Sequence, residues 1–284
     1  MTDPTPVVAV HGIGNLQPGR APAEAAALLA AQWQPRLAAG YTAAGLPHLP
    51  VPRLEVAYYA HLLAEPQAQG AWDGDLDELT GYQSVVAAAW LLAAGVPAPA
   101  EAQGPATLPL RQALGWLAAR RGVAADTLGR VVVALAREVY VYLSRAERRR
   151  RIRDTVAEAV RTHRPRVVLA HSLGSVVAYE ALHAHPDLEV DLLVTLGSPL
   201  GLPGAVFEAL EPEPRDGRGA RPPGVARWVN LADPGDLVAL PPRLGGRFPV
   251  DRHEEAYIGR MDFHTLGGYL GSGLTATAMA AYAT

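Results

Sequence analysis

Residues 166–180, RVVLAHSLGSVVAYE, decide the fold of this chain. An apolar β-branched run ends at Ala170, and helix-forming residues resume within two positions of Ser172. A serine between small residues in such a strand–turn–helix, here Ala170 and Gly174, is the nucleophile-elbow pattern. The tight turn lifts the serine oxygen above the sheet, and the helix N-terminus directs N–H groups at a developing oxyanion. We therefore expect Ser172 to be a nucleophile, with His171 part of the motif; a structural N-cap serine is the alternative.

A second motif lies near the start of the chain, where an apolar strand enters a His-Gly-x-Gly turn. Its residues are His11, Gly12, Ile13 and Gly14. Flexible glycines allow a backbone N–H to face a substrate carbonyl, so we expect the amides of Ile13 and Leu173 to form an oxyanion hole. A dinucleotide-binding loop would need a third glycine where Gln17 stands, and a purely structural turn is the other alternative.

The remaining pattern predicts an α/β protein. Short apolar runs predict strands at residues 7–10, 54–59, 167–170, 192–196 and 228–231. Helical stretches are expected at residues 22–37, 144–162 and 175–185. This alternation favours a mostly parallel central sheet flanked by helices. Residues 61–143 show no convincing strand and predict a helical insert, which leaves residues 1–60 and 144–284 as the core.

These motifs resemble the α/β-hydrolase superfamily, in its lipase/esterase-like branch. The matching segments are VVAVHGIG, LAHSLGSVVAYEAL, TLGSPLG, and WVNLADPGDLVA followed by a late histidine. The resemblance spans residues 5–60 and 165–270 and leaves the insert uncovered. It implies an α/β-hydrolase fold and a serine hydrolase that cleaves a carboxylic ester through an acyl-serine intermediate, without metal or cofactor.

The resemblance also implies a triad in the order serine, acid, histidine. Asp236 stands in the D-x-V loop where the family places its acid, and Asp233 is the alternative, although its position before Pro-Gly also suits a turn. His264 precedes a C-terminal helix, as the family's base does. His253 is the second choice, in a charged segment typical of a solvated loop.

Composition excludes several chemistries. The 284 residues include no cysteine, and all 25 basic residues are arginine. Thiolate nucleophiles, disulfides, zinc–thiolate sites, Walker-A lysines and lysine Schiff bases are therefore excluded.

The net charge is −3, and the arginine run at 148–153 is interleaved with acidic residues. We therefore expect a solvated helix face and no nucleic-acid partner. His183 and His185 point to different helix faces and predict no metal site.

The insert admits two interpretations that the sequence leaves open. Its tryptophan-rich helices could form a lid over an apolar site, or they could be ordinary core packing.

The longest apolar runs, 85–96 and 131–143, fall short of the roughly 20 residues that span a bilayer. No signal peptide is visible, so a cytoplasmic protein is expected.

We expect a small-molecule, apolar acyl ester as substrate, while the sequence gives no indication of oligomeric state. A thioesterase, acyltransferase or amidase would use the same triad. A non-catalytic binding protein with this fold is the alternative of another class.

Overall fold

The computed structural model describes residues 5–64, 76, 79, 81–97, 108–122, 124–259 and 264–282. Across these residues six parallel strands form one sheet in the order β2-β1-β3-β4-β5-β6. The strands are β1 (Val7–Val10), β2 (Leu54–Ala57), β3 (Val167–His171), β4 (Val190–Leu196), β5 (Val225–Ala232) and β6 (Arg252–Glu255). The chain therefore has an α/β fold, as the alternation of strands and helices predicts.

Helices cover both faces of this sheet. They are α1 (Pro22–Ala43), α2 (Ala60–Leu63), α3 (Tyr82–Ala93), α4 (Leu108–Arg121), α5 (Ala125–Ser144), α6 (Ala146–His163), α7 (Leu173–Ala184), α8 (Leu266–Gly271) and α9 (Leu274–Met279). Helix α1 extends beyond the predicted end at residue 37, and α7 begins directly after the elbow serine rather than at residue 175. No helix among the described residues is long and apolar enough to cross a membrane.

The buried strand β1 shows how the two apolar layers arise. Its side chains alternate between the faces of the sheet, as the period of a strand requires. Val8 and Val10 belong to the apolar cluster that includes α6, α7 and the insert helices. Val7 and Ala9 belong to a second cluster, formed with α1, α8 and α9. Burial on both faces explains why the central strands are continuously apolar.

The sixth strand was not predicted, and the expectation that His253 lies in a solvated loop is wrong. Strand β6 has the sequence RHEE and pairs with β5 at the edge of the sheet. Charged residues are tolerated there because an edge strand lacks a second neighbour, so no apolar alternation marks it. The His253 side chain is only 16% exposed and its Nδ1 lies 2.8 Å from Asn230 Nδ2.

The helices of the insert pack into the same core as the sheet. Within the described part of residues 61–143 there are helices and no strand. Trp90 of α3 and Leu128 of α5 are fully buried in the apolar cluster that contains Val8 and Val10. These two helices therefore contribute ordinary core packing, and α5 has a further role at the site.

The arginine run is not a uniformly solvated face, which corrects that expectation for Arg149. This side chain turns inward from α6 and is ion-paired with the fully buried Glu180 of α7. Tyr142 of α5 donates a hydrogen bond to the same carboxylate at 2.7 Å, and the Glu211 amide donates another at 3.0 Å. A buried carboxylate with this many donors is compensated, and the network joins the insert to the core.

Candidate active site

The polar residues of interest follow strands β3, β5 and β6. Because all strands run parallel, their carboxyl ends meet at one edge of the sheet, where open α/β folds bind ligands. Ser172 follows β3, Asp236 lies in the loop after β5, and His264 follows β6. The fold thus brings to one place three side chains that are far apart in sequence.

Ser172 sits in a strained turn between β3 and α7. Its backbone has φ 53° and ψ −131°, a region that a side-chain-bearing residue rarely adopts. The turn is held because the Ser172 amide donates to the Leu196 carbonyl at 3.0 Å. The Ser175 hydroxyl donates to the Ser172 carbonyl at 2.6 Å. These bonds fix a conformation that would otherwise relax.

Two glycines allow this turn to meet the start of the chain. A Cβ at Gly174 would lie 2.3 Å from the carbonyl oxygen of His11, so only glycine lets α7 approach β1 this closely. A Cβ at Gly12 would lie 2.5 Å from Ser172 Cβ and 2.9 Å from His171 Nδ1. Gly12 and Gly174 are therefore required because a side chain at either position would overlap its neighbours.

His264 links the serine to a carboxylate. Its Nε2 lies 2.8 Å from Ser172 Oγ, and its Nδ1 lies 2.9 Å from both carboxylate oxygens of Asp236. An ionised carboxylate can only accept, so the Nδ1 carries the ring proton. The Nε2 is then an acceptor, and the Ser172 hydroxyl donates to it. This is the protonation pattern that a serine nucleophile and its base require.

Asp236 is buried and has donors for both oxygens. The Tyr269 hydroxyl donates to Oδ2 at 2.6 Å, and the Val238 amide donates to Oδ1 at 2.8 Å. Burial, together with the nearby Asp236 carboxylate, raises the pKa of Tyr269 far above its ordinary value, so this phenol remains a donor. The carboxylate is thereby held in one orientation against the imidazole.

The two alternative triad residues are engaged elsewhere. Asp233 accepts from the Gly235 amide at 2.6 Å and from the Ile258 amide at 2.8 Å, which is a turn-forming role. His253 Nε2 lies 3.1 Å from a Glu255 carboxylate oxygen. Neither side chain forms part of the hydrogen-bonded chain that contains Ser172.

His11 anchors the His-Gly-x-Gly turn to the end of β2. Its ring stacks on Tyr59 with centroids 4.1 Å apart, and the Tyr59 amide donates to His11 Nε2 at 3.1 Å. Because Nε2 accepts, the proton is on Nδ1, which faces the Gly12 carbonyl at 2.9 Å. Burial lowers the pKa of His11 to about 4, so the ring is neutral at pH 7. His11 thus supports the turn.

The expected oxyanion amides lie beside the serine. Leu173 directly follows Ser172, and Ile13 follows Gly12, the glycine that touches the serine side chain. Within the described residues neither amide donates a hydrogen bond. The Gly14 amide, in contrast, donates to the Glu138 carboxyl at 2.9 Å. The first two amides are therefore available to an incoming oxygen.

His171 is a second buried imidazole beside the base. Its ring centroid lies 4.8 Å from that of His264, and neither ring nitrogen has a hydrogen-bond partner in the described part of the chain. Burial, followed by the proximity of His264, lowers the pKa of His171 well below 6.5. This ring is neutral at pH 7, so it adds no charge beside His264.

A cleft of about 520 Å³ opens beside His264. It is lined by Ile13, Gly14, Leu16, Pro18, Thr127, Arg130, Val131, Ala134, Glu138, His264 and Thr265. Five of these residues recur on one face of α5, at the three- and four-residue spacing of a helix. Helix α5 therefore packs one face into the core and presents another to the cleft.

Sequence reasoning missed three residues of this site. Glu138 and its neighbour Arg137 interrupt an apolar stretch, and charged residues on a helix usually indicate a solvated position. Tyr269 has no motif of its own, and only the fold brings its hydroxyl to Asp236. Gly197 lies inside the TLGSPLG segment, but the sequence did not show why a glycine is needed there. A Cβ at this position would lie 2.6 Å from Asp236 Oδ2, so the glycine leaves room for the carboxylate.

The paired histidines of α7 serve local contacts. His183 Nε2 lies 3.4 Å from the Ala220 carbonyl, and His185 lies against Asp154 and Arg161. In the ranges that the structure describes, no three histidine, aspartate or glutamate side chains are grouped to hold a metal ion.

Comparison with protein-family models, curated proteins and solved structures finds no match to this chain.

Proposed function

We propose that this protein is a serine hydrolase with an α/β-hydrolase fold, which cleaves a carboxylic ester through an acyl-serine intermediate. The observation that carries the proposal is the hydrogen-bonded chain from Ser172 Oγ through His264 to Asp236, with 2.8 and 2.9 Å separations. A neutral serine is a poor nucleophile at pH 7, and an imidazole oriented by a carboxylate is the group that activates it.

The reaction follows from the positions of these groups. As Ser172 Oγ attacks the ester carbonyl, His264 Nε2 takes the hydroxyl proton and the carbonyl oxygen gains negative charge. The amides of Ile13 and Leu173 donate to this oxyanion. His264 then gives its proton to the departing alkoxide, which leaves as an alcohol, and Ser172 remains acylated. Water, deprotonated by His264, attacks the acyl-serine and releases the acid with a free serine.

The cleft favours an apolar substrate. Around His264 its lining includes Ile13, Leu16, Val131 and Ala134, and apolar side chains of this kind bind hydrocarbon groups. A cleft of about 520 Å³ lies within the range for small-molecule sites, so an ester of moderate size fits.

Labelling with a fluorophosphonate probe tests the proposal. The probe phosphonylates a serine that has been activated by a neighbouring base, and mass spectrometry of the digested protein locates the adduct. We expect the native protein to be labelled on Ser172 and the variant Ser172→Ala to remain unlabelled. Ser84→Ala, which removes a hydroxyl on α3, is the matched control and should label like the native protein.

Two labelling results would contradict the proposal. If folded native protein is not labelled, or is labelled equally in Ser172→Ala, the hydrolase proposal is wrong. A non-catalytic binding protein with the same fold would then be the better description.

A further inference from the structure

Among the described residues two glutamates are buried, Glu138 and Glu180, and their surroundings differ. Glu180 is fully buried, ion-paired with Arg149, and accepts from the Tyr142 hydroxyl and the Glu211 amide. Glu138 is 6% exposed and accepts one hydrogen bond, from the Gly14 amide to Oε1. Its second oxygen has no partner within the described residues. The hydrolase mechanism above makes no use of this carboxyl.

Glu138 is one of the residues that line the cleft beside His264. Glu138 lies on the face of α5 that lines the cleft, and the same cleft contains His264. The Gly14 amide that it accepts belongs to the turn that carries the expected oxyanion donor Ile13. Three ionisable side chains line this cleft, those of His264, Glu138 and Arg130. Arg130 is exposed, so Glu138 and His264 are the two that are shielded from solvent.

Among the residues that the structure describes, no cation is paired with Glu138. Arg130 is the cation on the same helix face, eight residues earlier, which separates the two by about 12 Å along the axis. The other ionisable groups close to Glu138 are the phenols of Tyr58 and Tyr59, which are neutral at pH 7. Burial raises the pKa of Glu138 to about 7, and the Gly14 hydrogen bond opposes this only in part. Buried carboxylates are normally paired, as Glu180 is, so one positive charge is missing here.

We propose that Glu138 is a specificity-determining residue, whose free carboxyl oxygen binds a protonated amine carried by the substrate. The proposal rests on the proposed hydrolase function and narrows its substrate class to apolar esters that bear a primary ammonium group. An ammonium supplies both the hydrogen-bond donor and the positive charge that the site lacks, whereas a hydroxyl supplies only the donor. The apolar residues of the cleft then bind the hydrocarbon part.

Binding of two ligands of equal length tests this proposal without any turnover. n-Hexylammonium and 1-hexanol share one alkyl chain and differ in charge at the end. At pH 8 Glu138 is ionised and the amine is protonated. Calorimetry on the native protein should show hexylammonium binding about 10- to 100-fold more tightly than hexanol, which is the usual strength of a charge-assisted hydrogen bond.

Variants assign this preference to one carboxyl. In Glu138→Gln the amide oxygen can still accept from Gly14, but the charge is gone, and we expect the two ligands to bind within about threefold of each other. Glu138→Asp retains the charge and should retain the preference for hexylammonium. Glu147→Gln is the control, because it removes the same charge from an exposed position on α6.

The location of the ligand is read from labelling. Hexylammonium in the cleft should slow fluorophosphonate labelling of native Ser172 more than hexanol does, at equal concentration. The proposal is overturned if hexanol binds native protein as tightly as hexylammonium, if hexylammonium shows no binding, or if Glu138→Gln retains the native preference.

Failure of this proposal and failure of the hydrolase proposal are distinguishable. Labelling of Ser172 without any ammonium preference refutes the role of Glu138 and leaves the hydrolase intact. An ammonium preference lost in Glu138→Gln, with no labelling of Ser172, supports an amine-binding site and refutes the hydrolase.

Discussion

The carboxyls on the two sides of the cleft are held differently. On the sheet side, Asp236 lies behind the cleft residue His264 and has donors from Tyr269, Val238 and His264 before any ligand arrives. On the insert side, Glu138 lines the cleft itself and has one donor, from Gly14, with no paired cation among the described residues. The first arrangement needs no further group, which is the preorganisation that the proposed reaction requires. The second would be completed by the ligand that we propose.

The largest effect is expected from the carboxylate on the sheet side. Asp236→Asn should lower kcat by about 10⁴-fold, because an amide no longer holds the His264 ring with its proton on Nδ1. Asp233→Asn should lower kcat by less than about 10-fold, since Asp233 only orders a turn. Steady-state hydrolysis of a nitrophenyl ester measures both.

This pair of variants also tests the assignment of the acid. Circular dichroism should show that both proteins remain folded. Equal losses of activity in Asp233→Asn and Asp236→Asn would contradict the separate roles that the hydrogen bonds give them.

The second largest effect is expected at Glu138, on the insert side, and it changes the free energy of unfolding. An ordinary glutamate pKa of 4.5 is raised to about 7 in Glu138, so the folded protein binds this proton more tightly than the unfolded chain does. The free energy of unfolding therefore falls as the pH rises from 4.5 to 7, and Glu138→Gln removes this loss. We expect Glu138→Gln to be more stable than native protein by up to about 3 kcal/mol at pH 8, and to show no such gain at pH 4.

Other groups titrate in the same pH range. The quantity to compare is therefore the difference in unfolding free energy between native protein and Glu138→Gln. Burial lowers the pKa of His11 from 6.5 to about 4, which makes stability rise with pH between these values, opposite to Glu138. The ionisable groups near Glu138, namely the phenols of Tyr58 and Tyr59 and the His264 and Arg130 side chains that line the same cleft, are present in both proteins. Urea unfolding of each at pH 4 and pH 8 isolates the carboxyl. An equal difference at both pH values would contradict a raised pKa.

The sequence predicted the sheet side of the cleft better than the insert side, for a physical reason. Ser172 and His264 sit in local patterns, because a sharp turn needs small neighbours and a late histidine precedes a helix. The geometry brings these two predicted residues together with Asp236. Their catalytic roles stay a prediction, since hydrogen bonds alone do not measure a reaction.

The insert side carried no comparable local signal. Glu138 acquires its burial only when α5 packs against the sheet, and its one donor, Gly14, is 124 residues away in the chain. Strand β6 was missed for a similar reason, since its charged sequence pairs only because β5 offers a free edge. Features that depend on long-range contacts rather than on periodicity are those that the sequence did not indicate.

The smallest effect is expected from Tyr269, which belongs to the sheet side and positions the acid without touching substrate. Tyr269→Phe removes the donor to Asp236 Oδ2 and leaves the Asp233 amide without its acceptor. We expect kcat to fall by about 10-fold, the lower end of the range for one hydrogen bond to a charged group, because the Val238 and Ala239 amides still hold the carboxylate. Tyr257→Phe, at an exposed position, is the matched control.

The separation of kcat from KM distinguishes this positioning role from a general loss of structure. Because Tyr269 does not touch substrate, its loss should lower kcat and kcat/KM equally and leave KM unchanged in Tyr269→Phe, while Tyr257→Phe keeps both native values. A loss of activity that is accompanied by loss of the native circular dichroism spectrum would mean that Tyr269 supports the fold and does not position the carboxylate, and the sheet side of the cleft would then be held by Val238 and Ala239 alone.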